Sequence, residues 1–180
     1  MNALRTELEQ FLASIEKRAL RMVEITTRDR DEALDVVQDA MLQLVRSYAA
    51  RPATEWPPLF YRILENKIRD WQRRQTVRNR VLFWRDRFTE EQQDDFLENL
   101  ADLSQPDAPS RLQHEQAMRR LEQVMRKLPT RQRQAFELRI WQGLNVDETA
   151  QVMGCSEGSV KTHLFRALKV LRQELEGIWP

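Results

Sequence analysis

Glycine is scarce in this chain of 180 residues, and the four present, Gly143, Gly154, Gly158 and Gly177, all lie in the last quarter. A glycine-rich phosphate loop is therefore absent. There is a single cysteine, Cys155, so an intramolecular disulfide and a CxxC metal knuckle are both excluded. The two histidines, His114 and His163, stand in separate contexts, and neither HExxH nor a nucleophile elbow occurs. The paired acids Asp94 and Asp95 lie in a stretch read as flexible, unsuited to fixed acid–base work. No apolar run approaches the ~20 residues of a membrane span. The first ten residues, MNALRTELEQ, lack the apolar core of a signal peptide. These absences argue against an enzyme, a cofactor, a metal and membrane insertion, and they predict a cytoplasmic protein.

What is present is helical period. Clusters of β-branched residues at period two are missing, and apolar residues recur at three and four, so the fold class predicted is all-α. Hydrophobic residues make up 41% of the chain and charged residues 32%, enough for compact cores. Net charge is only +1, but the charges are segregated. Between Arg62 and Arg87 nine basic residues face three acids, a balance of +6. Between Thr89 and Asp107 seven acids occur with no Lys or Arg, a balance of −7.

The chain divides at that acidic stretch. Residues 1–87 read as one small helical domain, 88–109 as a flexible acidic linker ending in SQPDAPS, and 110–180 as a second helical domain. In the first domain, Leu8, Phe11, Ile15, Ala19 and Met22 make one stripe. Asp31 is expected to start a second helix, with Leu34, Val37, Met41, Leu44, Val45 and Tyr48 facing inward. Asp35, Gln38, Asp39 and Leu42 share another face, where exposed Leu42 and Val36 beside carboxylates suit protein docking better than mere solvation. Ala49 to Pro58 reads as a loop, and a helix from Leu59 carries Arg62, Asn66, Arg69 and Arg73 as a polar stripe. Such a stripe suits phosphates, and Asn66, Tyr61 or Trp56 suits unstacked bases. A solvated amphipathic helix has the same spacing.

The second domain reads as four helices with short loops. Pro129 ends the first, and Thr130 is expected to cap the next. The last two, within LNVDETAQVMGCSEGSVKTHLFRALKVLRQEL, form a helix-turn-helix. Asp147 is expected to cap the first of these, Gly154 to end it and Ser156 to cap the second. Cys155 reads as packing in the turn. The second helix places Val160, Leu164, Leu168, Leu171 and Leu175 on one face, and Lys161, Thr162, Phe165 and Arg166 on the other. A plain helical hairpin shares this period, but Phe165 on a polar face then lacks a reason.

Three stretches together resemble bacterial sigma-70 family sigma factors of the extracytoplasmic-function type. DEALDVVQDAMLQLVRSY (Asp31 to Tyr48) resembles the family's polymerase-docking helix. LFYRILENKIRDWQRR (Leu59 to Arg74) resembles its −10 helix at Asn66, Asp70, Arg73 and Arg74. LPTRQRQAFELRIWQGLNVDETAQVMGCSEGSVKTHLFRALKVLR resembles its region 4 signature, the most specific of the three. Asn145, Thr149 and His163 depart from the residues usual there. The resemblance implies a sigma factor with regions 2 and 4. It implies core RNA polymerase as partner, at the largest-subunit clamp and the flap, through Asp35, Gln38, Asp39 and Leu42. It implies −10 DNA contacts from Arg62, Asn66, Arg69, Arg73 and Arg74, with a base-capturing loop from Arg51 to Glu55. It implies −35 contacts from Ser156, Ser159, Lys161, Thr162, Phe165 and Arg166, and an anti-sigma factor that holds the protein. The acidic linker would lie in polymerase channels or against the basic helix. The free domains are expected to pack together and hide both DNA faces. The competing reading is a helix-turn-helix regulator that binds duplex DNA alone, which requires a dimerisation helix left over after both domains are assigned.

Overall fold

The computed structural model describes residues 2–85 and 108–176, and the acidic stretch expected as a linker falls almost wholly outside the described residues. Among those residues the fold is helical throughout. Helix α1 spans Asn2–Thr27, α2 Arg30–Tyr48 and α3 Trp56–Arg85, with a 3₁₀ turn at Ala53–Glu55 before α3. Helix α4 spans Ala108–Lys127, α5 Thr130–Phe136, α6 Val146–Met153 and α7 Glu157–Glu174. Between α5 and α6, Glu137–Trp141 forms a π-helical turn, in which the Gln142 N–H donates to the Glu137 carbonyl.

Helices α1–α3 bury Ile15, Ala19, Met22, Val37, Leu44, Phe60 and Leu64 against one another. Each such large side chain contributes about 1.5–3 kcal/mol of burial. Val36, expected to be exposed beside Asp35 and Asp39, lies beside them but is buried, and Val45, expected inward, is 40% exposed. The reason is position. Helix α2 packs on both α1 and α3, so its apolar arc is wide and runs Ala33, Val36, Val37, Ala40, Leu44.

Three start signals also shift. Asp29, not Asp31, caps α2, its Oδ1 accepting from the Asp31 and Glu32 N–H groups at 2.9 and 3.0 Å. Helix α3 begins at Trp56 rather than Leu59, because Pro57 and Pro58 fit its first turn, where no intrahelical N–H is needed. Thr130 is the first residue of α5 rather than its cap. The Pro129 carbonyl instead accepts from the Gln132 and Arg133 N–H groups at 2.9 and 3.0 Å.

The two bundles pack together. One apolar cluster joins residues of α1–α3 to Ala135, Leu138, Leu144, Ala150, Val152, Met153 and Val160. A second gathers Leu121, Val124, Met125, Leu128, Phe136, Ala167 and Leu171, and Ile25 of α1 reaches into it. Polar pairs stitch the join. Tyr61 donates to Gln142 Oε1 at 2.6 Å, Arg18 donates to the Trp141 carbonyl at 3.4 Å, and Arg21 pairs with Glu122.

Candidate nucleic-acid and protein interfaces

The helix-turn-helix is built from its caps. Asn145 caps α6, not Asp147. Its Oδ1 accepts from the Glu148 N–H at 2.8 Å, and the Glu148 carboxylate accepts from the Asn145 N–H at 2.7 Å, a reciprocal capping box. Gly154 ends α6 at φ +62, a left-handed turn that costs a residue with a Cβ. Ser156 caps α7, accepting from the Ser159 N–H at 3.2 Å. Cys155 packs half-buried against the core. Arg131 of α5 donates to the Met153 carbonyl at 2.6 Å and ties the end of α6 to the bundle.

Helix α7 then divides by face. Val160, Ala167 and Leu171 are buried, whereas Leu168, expected inward, is 38% exposed. The small Ala167 takes the inward position where α7 meets the cluster of α4 and α5. On the outer face Lys161, Thr162 and Arg166 are exposed, and Phe165 stands 69% exposed. The hydroxyls are already engaged. Ser156 and Ser159 lie 2.9 Å apart, and Thr162 donates to the Gly158 carbonyl at 2.9 Å. Lys161 and Arg166 offer cationic donors on this face, while Phe165 presents an aromatic ring to solvent.

On α3, Arg62, Asn66, Arg69, Arg73 and Arg74 are all exposed. They do not form one set. Arg62, Asn66, Arg69 and Arg73 follow one stripe, with Arg73 3.8 Å from Asp70 and Arg69 at the rim of a cavity between the bundles. Arg74 turns to the other side, into a groove shared with α2. Packing of the bundles therefore leaves exposed both faces expected to meet DNA, where they were expected to be hidden, because the join uses the apolar sides of both. The aromatic residues expected to meet bases are also placed elsewhere. Trp56 is fully buried and its Nε1 donates to the Tyr48 carbonyl at 3.2 Å. Tyr61 is 1% exposed and its hydroxyl is spent on Gln142. Burial pushes the Tyr61 phenol above its ordinary range, against the opposing effect of the Arg18 charge. In the Arg51–Glu55 segment Arg51, Pro52 and Thr54 are exposed, and Arg51 pairs with Glu55 at 3.7 Å.

The α2–α3 groove has a volume of about 440 Å³ and brings Asp35, Gln38, Asp39 and Leu42 together. Leu42 is 50% exposed. Across from them stand Lys67, Trp71, Gln75 and Arg78, with Lys67 Nζ 3.5 Å from Asp39 Oδ2. Trp71 Nε1 donates to Glu32 Oε2 at 2.8 Å, which fixes the indole as the groove's apolar floor. Sequence reasoning did not assign these opposing residues. Their spacing, Lys67, Trp71, Arg74, Gln75 and Arg78, is one helical face and was the available signal. Among the described residues no group of three or more His, Cys, Asp or Glu is arranged to hold a metal. No described helix is long and apolar enough to cross a membrane.

Comparison with known proteins follows the same division. Residues 8–78 match the family described as sigma-70 region 2, and residues 118–171 match sigma-70, region 4. The chain is 33% identical over 173 residues to an RNA polymerase sigma-E factor of Streptomyces avermitilis, covering 95% of this chain and 86% of that one. It is 29% identical over 151 residues to the ECF RNA polymerase sigma factor SigX of Bacillus subtilis, covering 83% and 73%. Among solved structures, the sigma factor RpoE in complex with the anti-sigma factor NepR from Bartonella quintana superposes with a TM-score of 0.66 at 20% identity, covering 98% of this chain and 99% of that one. CnrH in complex with the cytosolic domain of CnrY gives 0.59 at 21%, covering 94% and 87%.

Proposed function

This chain belongs to the sigma-70 family, in its extracytoplasmic-function group, and from that premise we infer that it is an RNA polymerase sigma factor that gives core polymerase its promoter specificity. It acts in the cytoplasm by binding alone and carries no reaction of its own. In this reading the α2–α3 groove, with Asp35, Gln38, Asp39 and Leu42, receives the clamp of the polymerase largest subunit. The second bundle meets the flap. Arg62, Asn66, Arg69 and Arg73 follow the melted −10 strand, and Arg74 supports the docking groove beside them as well as the DNA. The Arg51–Glu55 turn takes a flipped base. Flipping costs a few kcal/mol of unstacking, which a pocket and phosphate contacts offset. Lys161, Phe165 and Arg166 enter the −35 major groove, with Ser156, Ser159 and Thr162 ordering the helix start so that its N–H groups meet phosphate. A net charge of +1 fits a protein whose DNA affinity comes from the assembled polymerase. An anti-sigma factor is the expected restraint, and the Bartonella quintana sigma factor RpoE, which shares this fold, is held in complex with the anti-sigma factor NepR.

The observation that carries the docking assignment is the groove, where two carboxylates and an exposed leucine stand together on one helix face opposite a tryptophan. The test is capture of bacterial core polymerase by the wild type and by Asp35→Arg/Asp39→Arg. Binding by the wild type and its loss in the double variant supports both class and face. Binding that survives the change moves the face. Failure to bind core, with specific binding of the free protein to duplex DNA, favours a stand-alone regulator.

A further inference from the structure

Promoter recognition leaves one buried group of side chains without a task. Glu65 of α3 and Glu137 of the π-helical turn come from different bundles, yet they line one cavity of about 140 Å³ at the join. They are 2% and 1% exposed. Gln134 Nε2 donates to Glu65 Oε2. Arg133 Nε lies 3.8 Å from Glu137 Oε1, too far for a hydrogen bond. Glu137 Oε1, Gln134 Oε1 and Arg133 Nε consequently lack hydrogen-bond partners although all three are buried. Two buried carboxylates at one join, with one formal pairing that does not close, are costly to ionise together.

We propose that Glu65 and Glu137 form a proton-linked latch, so that closure of the two bundles takes up protons and opening releases them. The charged groups facing the pair are Arg69 from α3 and Arg131 and Arg133 from α5, while α1 adds only the uncharged Met22 and Thr26. Burial raises the Glu65 carboxyl above its ordinary range, against the Gln134 hydrogen bond and the charges of Arg69, Arg133 and Arg131. Burial raises Glu137 further, against Arg133, and the Glu65 charge adds to the rise. Opening returns both to water and to ordinary values. Groups raised in the closed form favour closure at acid pH, and that contribution is lost as pH climbs through the closed-state values. The closed-to-open ratio then falls by about tenfold per pH unit for each proton released, between the ordinary carboxylate range and the raised closed-state values.

The test is small-angle scattering of the full chain at constant ionic strength from about pH 5 to about pH 8.5, with circular dichroism to follow helix content. The wild type is expected to expand as pH rises with its helices intact. Glu65→Gln/Glu137→Gln mimics the protonated pair and is expected to stay compact with no pH dependence. It also separates the pair from every other titrating group in the chain. The single Glu137→Gln variant, expected to show a reduced slope, serves where the double change lowers helix content. A wild type whose size is constant over this range overturns the latch, as does a Gln variant that expands like the wild type. The readout is separation of the bundles, so its failure leaves the sigma-factor reading standing, and failure of core capture leaves the latch standing.

Discussion

Asn145 and Phe165 mark two kinds of residue, one that holds the helix-turn-helix together and one that the fold does not need. Asn145 closes a capping box with Glu148. Asn145→Ala is therefore expected to destabilise the protein by about 1 kcal/mol in urea unfolding, and Asn145→Ser to restore most of it. Phe165 stands 69% exposed, so removing it changes few packed contacts. Phe165→Ala should shift stability by less than about 0.5 kcal/mol. The same variant, assembled with core polymerase, should lose discrimination between a −35 site and a scrambled one in promoter-binding titrations. Equal discrimination by variant and wild type would remove Phe165 from the DNA face. The caps also measure what a sequence reveals at this scale. Asn145 and Asp147 are both capable caps, as are Asp29 and Asp31. In each case the structure chose the residue with a Glu three positions on, Glu148 or Glu32, and that pattern was readable. The fates of Trp56 and Tyr61 were not readable, because an aromatic at a helix start serves a core or a base equally well until its neighbours are known.

The helices themselves follow their apolar period closely, and the misplacements come from how many neighbours a helix has. Helix α2 lies against two others, so Val36 joins the core while still lining the groove beside Asp35, Gln38, Asp39 and Leu42. On α7 the larger Leu168 suggests an inward position that the small Ala167 holds, since close packing selects size at a crossing rather than hydrophobicity alone. Between α1 and α2 the chain turns through Arg28 at φ +58, a left-handed conformation that a side chain adopts at a cost. Arg28→Gly is expected to raise stability by roughly 0.5–1 kcal/mol in thermal unfolding, because the folded strain outweighs the extra freedom of the unfolded chain. A loss of stability would mean that the Arg28 side chain supplies more than the backbone strain removes.

At the scale of the whole molecule, the division into two bundles was legible from the basic and acidic blocks, and their association was anticipated without its geometry. Which surfaces meet depends on pairs from 69 to 123 positions apart, and no local period encodes these. The structure brings Tyr61 of α3 to Gln142 after the π-helical turn, a bond across 81 positions. This pair separates a joined molecule from two independent bundles. Tyr61→Phe removes one buried hydrogen bond and should cost about 1 kcal/mol. Gln142→Ala removes the same bond from the other side. If the bundles are joined in solution, the double variant should cost less than the two single changes summed, by a coupling of about 1 kcal/mol in urea unfolding. If they are apart, the two changes should simply add. Repeating the cycle at acid and at mildly alkaline pH ties it to the carboxylate pair nearby. Coupling that weakens as pH rises is the outcome expected when Glu65 and Glu137 loosen the join. Coupling that holds constant would confine Tyr61 and Gln142 to a static interface.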